Sequence, residues 1–227
     1  MQKEMKYWYL KNFDLFSDLS KDQINDLSSI ARFVRMKKGQ AIYFNNEPSK
    51  KLYFLINGKV KISEIDGFGN ELIKSIVLGG DHFGEISNAA YKQTQEFAEI
   101  LSSEVIVCIF NQDEFEVLMQ KHPVLALSFA RRMAEKLRGL ETRYTNLVFK
   151  DVKARLKSFI FDWANKEGKQ DEAGLVIKNY LTHGEIANII SSSRQTVTTL
   201  INELKEEGVI VYSRKIITIP NIHAFAA

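Results

Sequence analysis

The sequence predicts an α+β fold in three parts: an N-terminal antiparallel β jelly roll, a long dimerisation helix and a C-terminal winged helix-turn-helix. Three observations predict it. Short segments rich in Val, Ile, Tyr and Phe, separated by turn residues, fill the first half. A heptad-spaced apolar seam begins near residue 122. The last third runs helix, breaker, helix, hairpin. The expected parts are residues 1–121, 122–147 and 148–227.

Composition sets outer bounds. The chain has 227 residues, 45% of them hydrophobic and 26% charged, as in an ordinary globular protein of one large or two small domains. No apolar run approaches the roughly 20 residues that span a bilayer. The opening MQKEMKYWYLKNF mixes charges among aromatics and has no signal-peptide core. A cytoplasmic location is expected. The single cysteine, Cys108, lies in VIVCIF, which excludes an internal disulfide and a cysteine-ligated iron–sulfur cluster. A net charge of +3 permits a nucleic-acid partner without requiring one.

The elements follow in order. Residues 13–39 read as short helices with Leu19, Ile24, Leu27 and Ile30 on the apolar face. AIYFN, KLYFLI, KVKISEI, ELIKSIVL, EFAEIL and EVIVCIF read as strands, with NEPSK, NG and DGFGN between the first four. Asn57-Gly58 has the composition of a two-residue hairpin turn. From His122 the period becomes helical, and Pro123 suits a first helical turn. Ala126, Ala130, Met133, Leu137, Leu140, Tyr144 and Leu147 step by four and three, with Arg131, Arg132, Glu135, Lys136, Arg138, Glu141 and Arg143 on the other faces. One reading is a helix packed on its own barrel. Three regular heptads flanked by charge favour a two-stranded dimer helix. DVKARLKSFIFDWANK is then amphipathic, with Val152, Leu156, Phe159, Ile160 and Trp163 inward. KEGKQDEAG reads as a polar loop and LVI as a strand.

The most informative stretch is LTHGEIANIISSSRQTVTTLINELKEEGVIVYSRKIITI. Thr182 and Glu185 have the spacing of a capping box. Ile186, Ala187 and Ile190 make one apolar face, and the serine run at 191–193 breaks the helix. A second helix starts near Ser193, turns Val197, Leu200, Ile201 and Leu204 inward, and stops at Gly208. VIVY and IITI form a hairpin around Ser213, Arg214 and Lys215. In such a motif the second helix enters the major groove by its N-terminal end. Arg194 can fork onto guanine and Gln195 onto adenine, with Thr198 and Thr199 also outward. Ser193, Thr196, Arg214 and Lys215 suit phosphates. A plainer reading exists: Ser192 and Gln195 have S-x-x-Q spacing, so Gln195 can fold back as a cap. The run of caps, breaker, outward arginine and basic wing favours DNA. A protein-binding adaptor is the rival, distinguished by a lack of salt-dependent DNA affinity.

These residues resemble the cyclic-AMP receptor protein/FNR (CRP/FNR) family of bacterial transcription regulators, nearly end to end. Lys38, Gly39, Ile42 and Glu47 match a barrel pattern. LYFLINGKVKI resembles a strand pair, and GGDHFGEIS the entry to a phosphate cassette. NLVFKDVKARL resembles the hinge after the dimer helix, and EIANIISSSRQTVTTLINELKEEGVI the recognition module. The resemblance makes the first part a cyclic-nucleotide-binding-like β jelly roll. It implies a homodimer on a near-palindromic operator, contact with RNA polymerase, and a small-molecule effector in the barrel. By position, residues 166–174 are a candidate polymerase contact. The implied effector pocket comprises Phe83, Gly84, Glu85, Ile86, Ser87, Glu96 and Phe97.

The chain also departs from that pattern. Cyclic-AMP binders carry an Arg and then a Ser or Thr before an Ala. Aligned on Ala98, those positions hold Glu96 and Phe97, and a carboxylate repels a phosphodiester. Realignment onto Lys92 or Thr94 leaves a poor match. Leu140 and Glu141 stand where a polar pair would hold the adenine. The pocket is therefore not expected to suit cyclic AMP, and the effector is unknown. A cyclic-nucleotide sensor with an unusual clamp is the alternative. At the recognition helix Arg194 is kept, a Glu becomes Gln195 and a second Arg becomes Thr199, so the operator should differ there.

No cofactor is expected. His82, the one barrel candidate for a haem ligand, reads more simply as a solvated or backbone-bonded turn residue. His122, His183 and His223 have no metal-ligand spacing around them. No nucleophile–base set or carboxylate pair suggests an enzyme.

Overall fold

The computed structural model describes residues 3–44, 50–84, 95–222 and 225. The chain divides into two compact units, residues 1–138 and 139–227.

Unit one opens with helix α1 (Lys3–Lys11), a 3-10 turn (Asp14–Phe16) and α2 (Lys21–Ile30). Ser20 and Gln23 close a reciprocal capping box at the start of α2, satisfying amide groups that have no partner within the helix. Among the described residues eight strands follow: β1 (Arg32–Lys37), β2 (Ala41–Phe44), β3 (Lys51–Asn57), β4 (Lys59–Ile65), β5 (Glu71–Leu78), β6 (His82–Phe83), β7 (Gln95–Ile100) and β8 (Glu104–Asn111). They form two antiparallel four-stranded sheets, ordered β1-β8-β3-β6 and β2-β7-β4-β5. Helices α3 (Gln112–Lys121) and α4 (Pro123–Phe149) come next.

Two cores explain the apolar runs. Tyr53, Leu55, Phe83, Val105 and Val107 from one sheet meet Val60, Ile62, Val77, Ala98 and Ile100 from the other, filling the space between sheets. The alternate residues Leu52, Phe54, Cys108 and Phe110 point the opposite way, into a second core with α1, α2, α3 and the first turns of α4. Strands β3 and β8 are thus buried on both faces, which is why LYFL and VIVCIF read as continuous apolar stretches.

Asn57-Gly58 is not the hairpin its composition suggests. Strands β3 and β4 lie in different sheets, so the dipeptide turns a corner between them. Gly58 has φ +96°, and a Cβ there would lie 2.9 Å from the Glu104 carbonyl oxygen. The position therefore needs glycine for both conformation and room. The hairpin partner of β4 is β5, joined through DGFGN. Asp66 braces that turn, its Oδ1 accepting from the amides of Phe68 (2.8 Å) and Asn70 (2.9 Å).

Unit two contains the end of α4, then α5 (Val152–Glu167), β9 (Lys169–Asp171), β10 (Gly174–Lys178), α6 (His183–Ile190), α7 (Arg194–Glu206), β11 (Val211–Tyr212) and β12 (Ile216–Ile219). The strands form one antiparallel sheet, β11-β12-β10-β9. Part of the expected loop KEGKQDEAG is therefore strand β9, hairpinned onto β10. Leu156, Ile160 and Trp163 of α5 are buried, as are Ile186 and Ile190 of α6 and Val197, Ile201 and Leu204 of α7. No helix among the described residues is long and apolar enough to cross a membrane.

Candidate DNA-reading surface and barrel interior

Local chemistry builds the reading surface. Thr182 caps α6: its amide donates to Glu185 Oε2 (2.8 Å), and the Glu185 amide donates back to Thr182 Oγ1 (3.2 Å). Ser191 ends α6 in the left-handed region, φ 54°. Ser193 caps α7 by accepting from the Thr196 amide at 3.0 Å. The alternative box between Ser192 and Gln195 does not form, because Ser193 occupies the cap and Gln195 is already the second residue of α7. Arg194, Gln195 and Thr199 are exposed, while Thr196 and Thr198 are half-buried.

Thr198 differs from its neighbours. Its hydroxyl donates to the Arg194 carbonyl (2.9 Å) and lies 2.9 Å from His183 Nδ1. On the wing, Arg214 and Lys215 are exposed at the tip between β11 and β12, where Ser213 Oγ accepts from the Ile216 amide at 3.0 Å.

One contributor escaped sequence reading. Arg155 of α5 donates to three carbonyls: Lys150 (2.9 Å), Ile190 (3.1 Å) and Ser191 (3.3 Å). It satisfies groups left open where α6 ends, and so buttresses the turn before α7. Arg143 of α4 adds a bond to the Ile189 carbonyl at 3.3 Å. Nothing in the spacing of Arg143 or Arg155 signals these contacts.

In unit one, Phe83 faces the space between the sheets. It stacks on Tyr53 at 5.0 Å, and Tyr43 lies 5.3 Å from Tyr53. Gly84 follows with φ +92°, where a Cβ would lie 2.6 Å from the Lys51 carbonyl oxygen. Glu47, Glu85, Ile86, Ser87, Lys92 and Thr94 lie outside the described residues. Glu96 shares the inward face of β7 with Ala98 and Ile100, so strand alternation puts Phe97 on the outward face. The Glu96 carboxylate is 13% exposed and accepts from Tyr43 OH (2.7 Å) and Lys74 Nζ (2.6 Å). Lys74 also pairs with Glu64 at 3.2 Å.

His82 is not a solvated turn residue. It lies in β6, 1% exposed, with its ring 5.5 Å from Phe54 and 5.2 Å from Phe129. Those rings belong to the helix-side core, so the imidazole points away from the space that Phe83 enters. A haem in that space would not meet it. Neither ring nitrogen has a hydrogen-bond partner among the described residues. Burial, reinforced by the Lys136 charge, lowers its pKa to about 3, so the ring is neutral at pH 7. Beside it, burial alone would raise the Asp81 pKa. Lys136, the His82 amide and Arg132 outweigh that and hold the carboxyl below its ordinary value.

On α4, Leu125 and Phe129 are buried, and Arg132 and Lys136 continue that stripe toward Asp81. A separate stripe carries the expected seam. Ala126 is half-buried, whereas Ala130, Met133, Leu137, Leu140, Tyr144 and Leu147 are exposed in the single chain.

Comparison with known proteins agrees with this architecture. Residues 33–122 match the cyclic nucleotide-binding domain family, and residues 154–227 match the Crp-like helix-turn-helix domain. The chain belongs to the CRP/FNR family of transcription regulators. Among its relatives, the global nitrogen regulator of Synechocystis sp. is 27% identical over 81% of this chain and 82% of that protein. The CRP-like cAMP-activated global transcriptional regulator of Mycobacterium tuberculosis is 26% identical over 93% and 94%. Among solved structures, a CooA mutant from Carboxydothermus hydrogenoformans superposes with TM-score 0.74 at 21% identity, covering 92% of this chain and 89% of that one. A cyclic nucleotide-binding domain containing protein from Listeria monocytogenes gives 0.70 at 18%, covering 95% and 97%. This CRP/FNR member is a DNA-binding transcription regulator with an α+β, cyclic-nucleotide-binding-type first domain and a helix-turn-helix. Among the described residues, no cluster of His, Cys, Asp or Glu could hold a metal ion.

Proposed function

We propose that this regulator acts as a homodimer on a near-palindromic operator, contacts RNA polymerase, and has an effector pocket not tuned for cyclic AMP. Its working parts are taken as residues 1–121 for the effector domain, 122–147 for the dimer helix and 148–227 for DNA binding. Ser193, Arg194, Gln195, Thr196, Thr198, Thr199, Arg214 and Lys215 form the DNA surface. Arg194 and Gln195 read bases, and the wing-tip cations hold phosphates.

The observation that carries the dimer is the uncovered seam: Leu137 is 57% exposed, Leu140 59% and Tyr144 70%, at heptad spacing. Two copies of α4 laid seam to seam would bury it. The pocket reading is supported by the inward group of Glu64, Lys74 and Glu96, where, among the described residues, one ammonium meets two carboxylates. That balance repels a phosphodiester. The Mycobacterium tuberculosis relative is described as cAMP-activated, so the question is directly testable. Isothermal titration with cyclic AMP and cyclic GMP should give no micromolar binding, and micromolar binding of either would overturn the pocket reading. Selection of bound genomic fragments, followed by fluorescence anisotropy, should return a two-fold motif and an affinity falling steeply with salt.

A further inference from the structure

His183 stands where three parts of the DNA-binding unit meet. It is the first residue of α6. Its Nδ1 lies 2.9 Å from Thr198 Oγ1 on α7. Its ring lies 5.3 Å from that of Tyr212 on β11, tilted by 60°. Tyr212 is itself anchored, its phenol oxygen accepting from Asn179 Nδ2 at 3.0 Å. The proton inventory sets the polarity of the His183 contact. Thr198 has one hydroxyl proton and directs it to the Arg194 carbonyl at 2.9 Å. The imidazole therefore donates from Nδ1, and the hydroxyl accepts. Burial, and then the Arg194 charge from α7, lower the His183 pKa. Donation from Nδ1 survives in both charge states of the ring.

We propose that His183 is a positioning residue for operator recognition, pinning the recognition helix and the wing in one relation through Thr198 and Tyr212. This rests on the DNA-reading role given to α7. Base readout depends on placing Arg194 and Gln195 against particular edges, whereas phosphate contacts tolerate small displacements. Loss of the pin should therefore cost specificity more than gross affinity. It also gives the Thr198 hydroxyl an internal task, which removes it from direct hydrogen bonding to a base.

The test uses the full-length protein and an operator recovered by selection, with a random duplex of equal length for comparison. His183→Ala should lower the ratio of operator to random-duplex affinity about tenfold, with random-duplex affinity nearly unchanged. Thr198→Val, nearly isosteric and without the hydroxyl, should give a similar loss. The double variant should lose no more than His183→Ala alone, because the bond that Thr198→Val removes is already gone without the imidazole. His183→Asn, whose carboxamide can donate from nearly the same place as Nδ1, should recover most of the ratio. If the ratio is unchanged in Thr198→Val, or the two losses add, the positioning role is overturned. Should His183→Ala fail to fold, Thr198→Val and His183→Asn still decide. Failure of the unaltered protein to prefer any duplex would instead refute the DNA-reading assignment.

Discussion

Lys136 Nζ lies 3.4 Å from Asp81 Oδ1, and the same ammonium donates to the carbonyl of His82. Arg132, one turn earlier on α4, reaches the same carboxylate oxygen at 3.4 Å. One face of the helix is thereby tied to the turn that leads into Phe83 and Gly84. Burial lowers the Lys136 pKa, so the ammonium depends on Asp81 to remain charged at little cost. Asp81→Asn should destabilise the first unit by about 1–2 kcal/mol, allowing for the partial exposure of the group. Amide exchange at residues 79–83 should quicken with it. Unaltered exchange there would mean that the ion pair does not hold the turn.

The buried imidazole makes a pH prediction. The folded pKa of His82 is lowered to about 3, below the unfolded value of about 6.5. Between those values the unfolded chain binds a proton that the folded one refuses. The stability linked to His82 is complete above pH 6.5 and is lost as pH falls toward 3, with a slope of up to about 1.4 kcal/mol per pH unit. His82→Leu should flatten that slope, measured as denaturant midpoints from pH 7 to 4. It should leave stability at pH 7 within about 1 kcal/mol, because among the described residues the ring nitrogens make no hydrogen bonds to lose, Nδ1 lying 3.5 Å from Asp81 Oδ1. An unchanged slope would place the acid sensitivity elsewhere.

How legible these features are follows from the distance over which each is determined. The box of Thr182 with Glu185 joins residues three apart and is readable as spacing. The seam on α4 is readable because one helix repeats it. Asn57-Gly58 reports a local backbone preference but not which strand will pair, so a corner between sheets looked like a hairpin. His82 lies in a two-residue strand, too short to show alternation, so nothing local distinguished its buried side from the turn. Lys136 and Asp81 are far apart in the chain, as are Arg155 and Ile190. Their contacts exist only once the elements have packed.

The exposed seam yields a direct test of assembly. Leu140→Glu places a charge in the middle of the stripe from Leu137 to Tyr144, away from the buried face held by Leu125 and Phe129. The isolated unit should keep its fold, while a two-stranded interface would have to bury or repel the new carboxylates. Sedimentation should show the dimer dissociation constant raised by at least about a hundredfold. Equal dimerisation by the variant would show that the seam is not the interface.

The last prediction separates base reading from phosphate holding. Arg194 is exposed at the first position of α7, beside the Ser193 cap, while Lys215 is exposed at the wing tip between β11 and β12. Arg194→Ala should cost about 1–3 kcal/mol on the selected operator and relax preference at one base pair per half-site. Its effect on random DNA should be much smaller. Lys215→Ala should weaken operator and random duplexes about equally and reduce the steepness of the salt dependence by about one unit. Paired anisotropy titrations across a salt series measure both quantities. An equal loss on operator and random DNA for Arg194→Ala would assign that guanidinium to the backbone, and Gln195 and Thr199 would then be the remaining exposed candidates on α7 for reading the sequence.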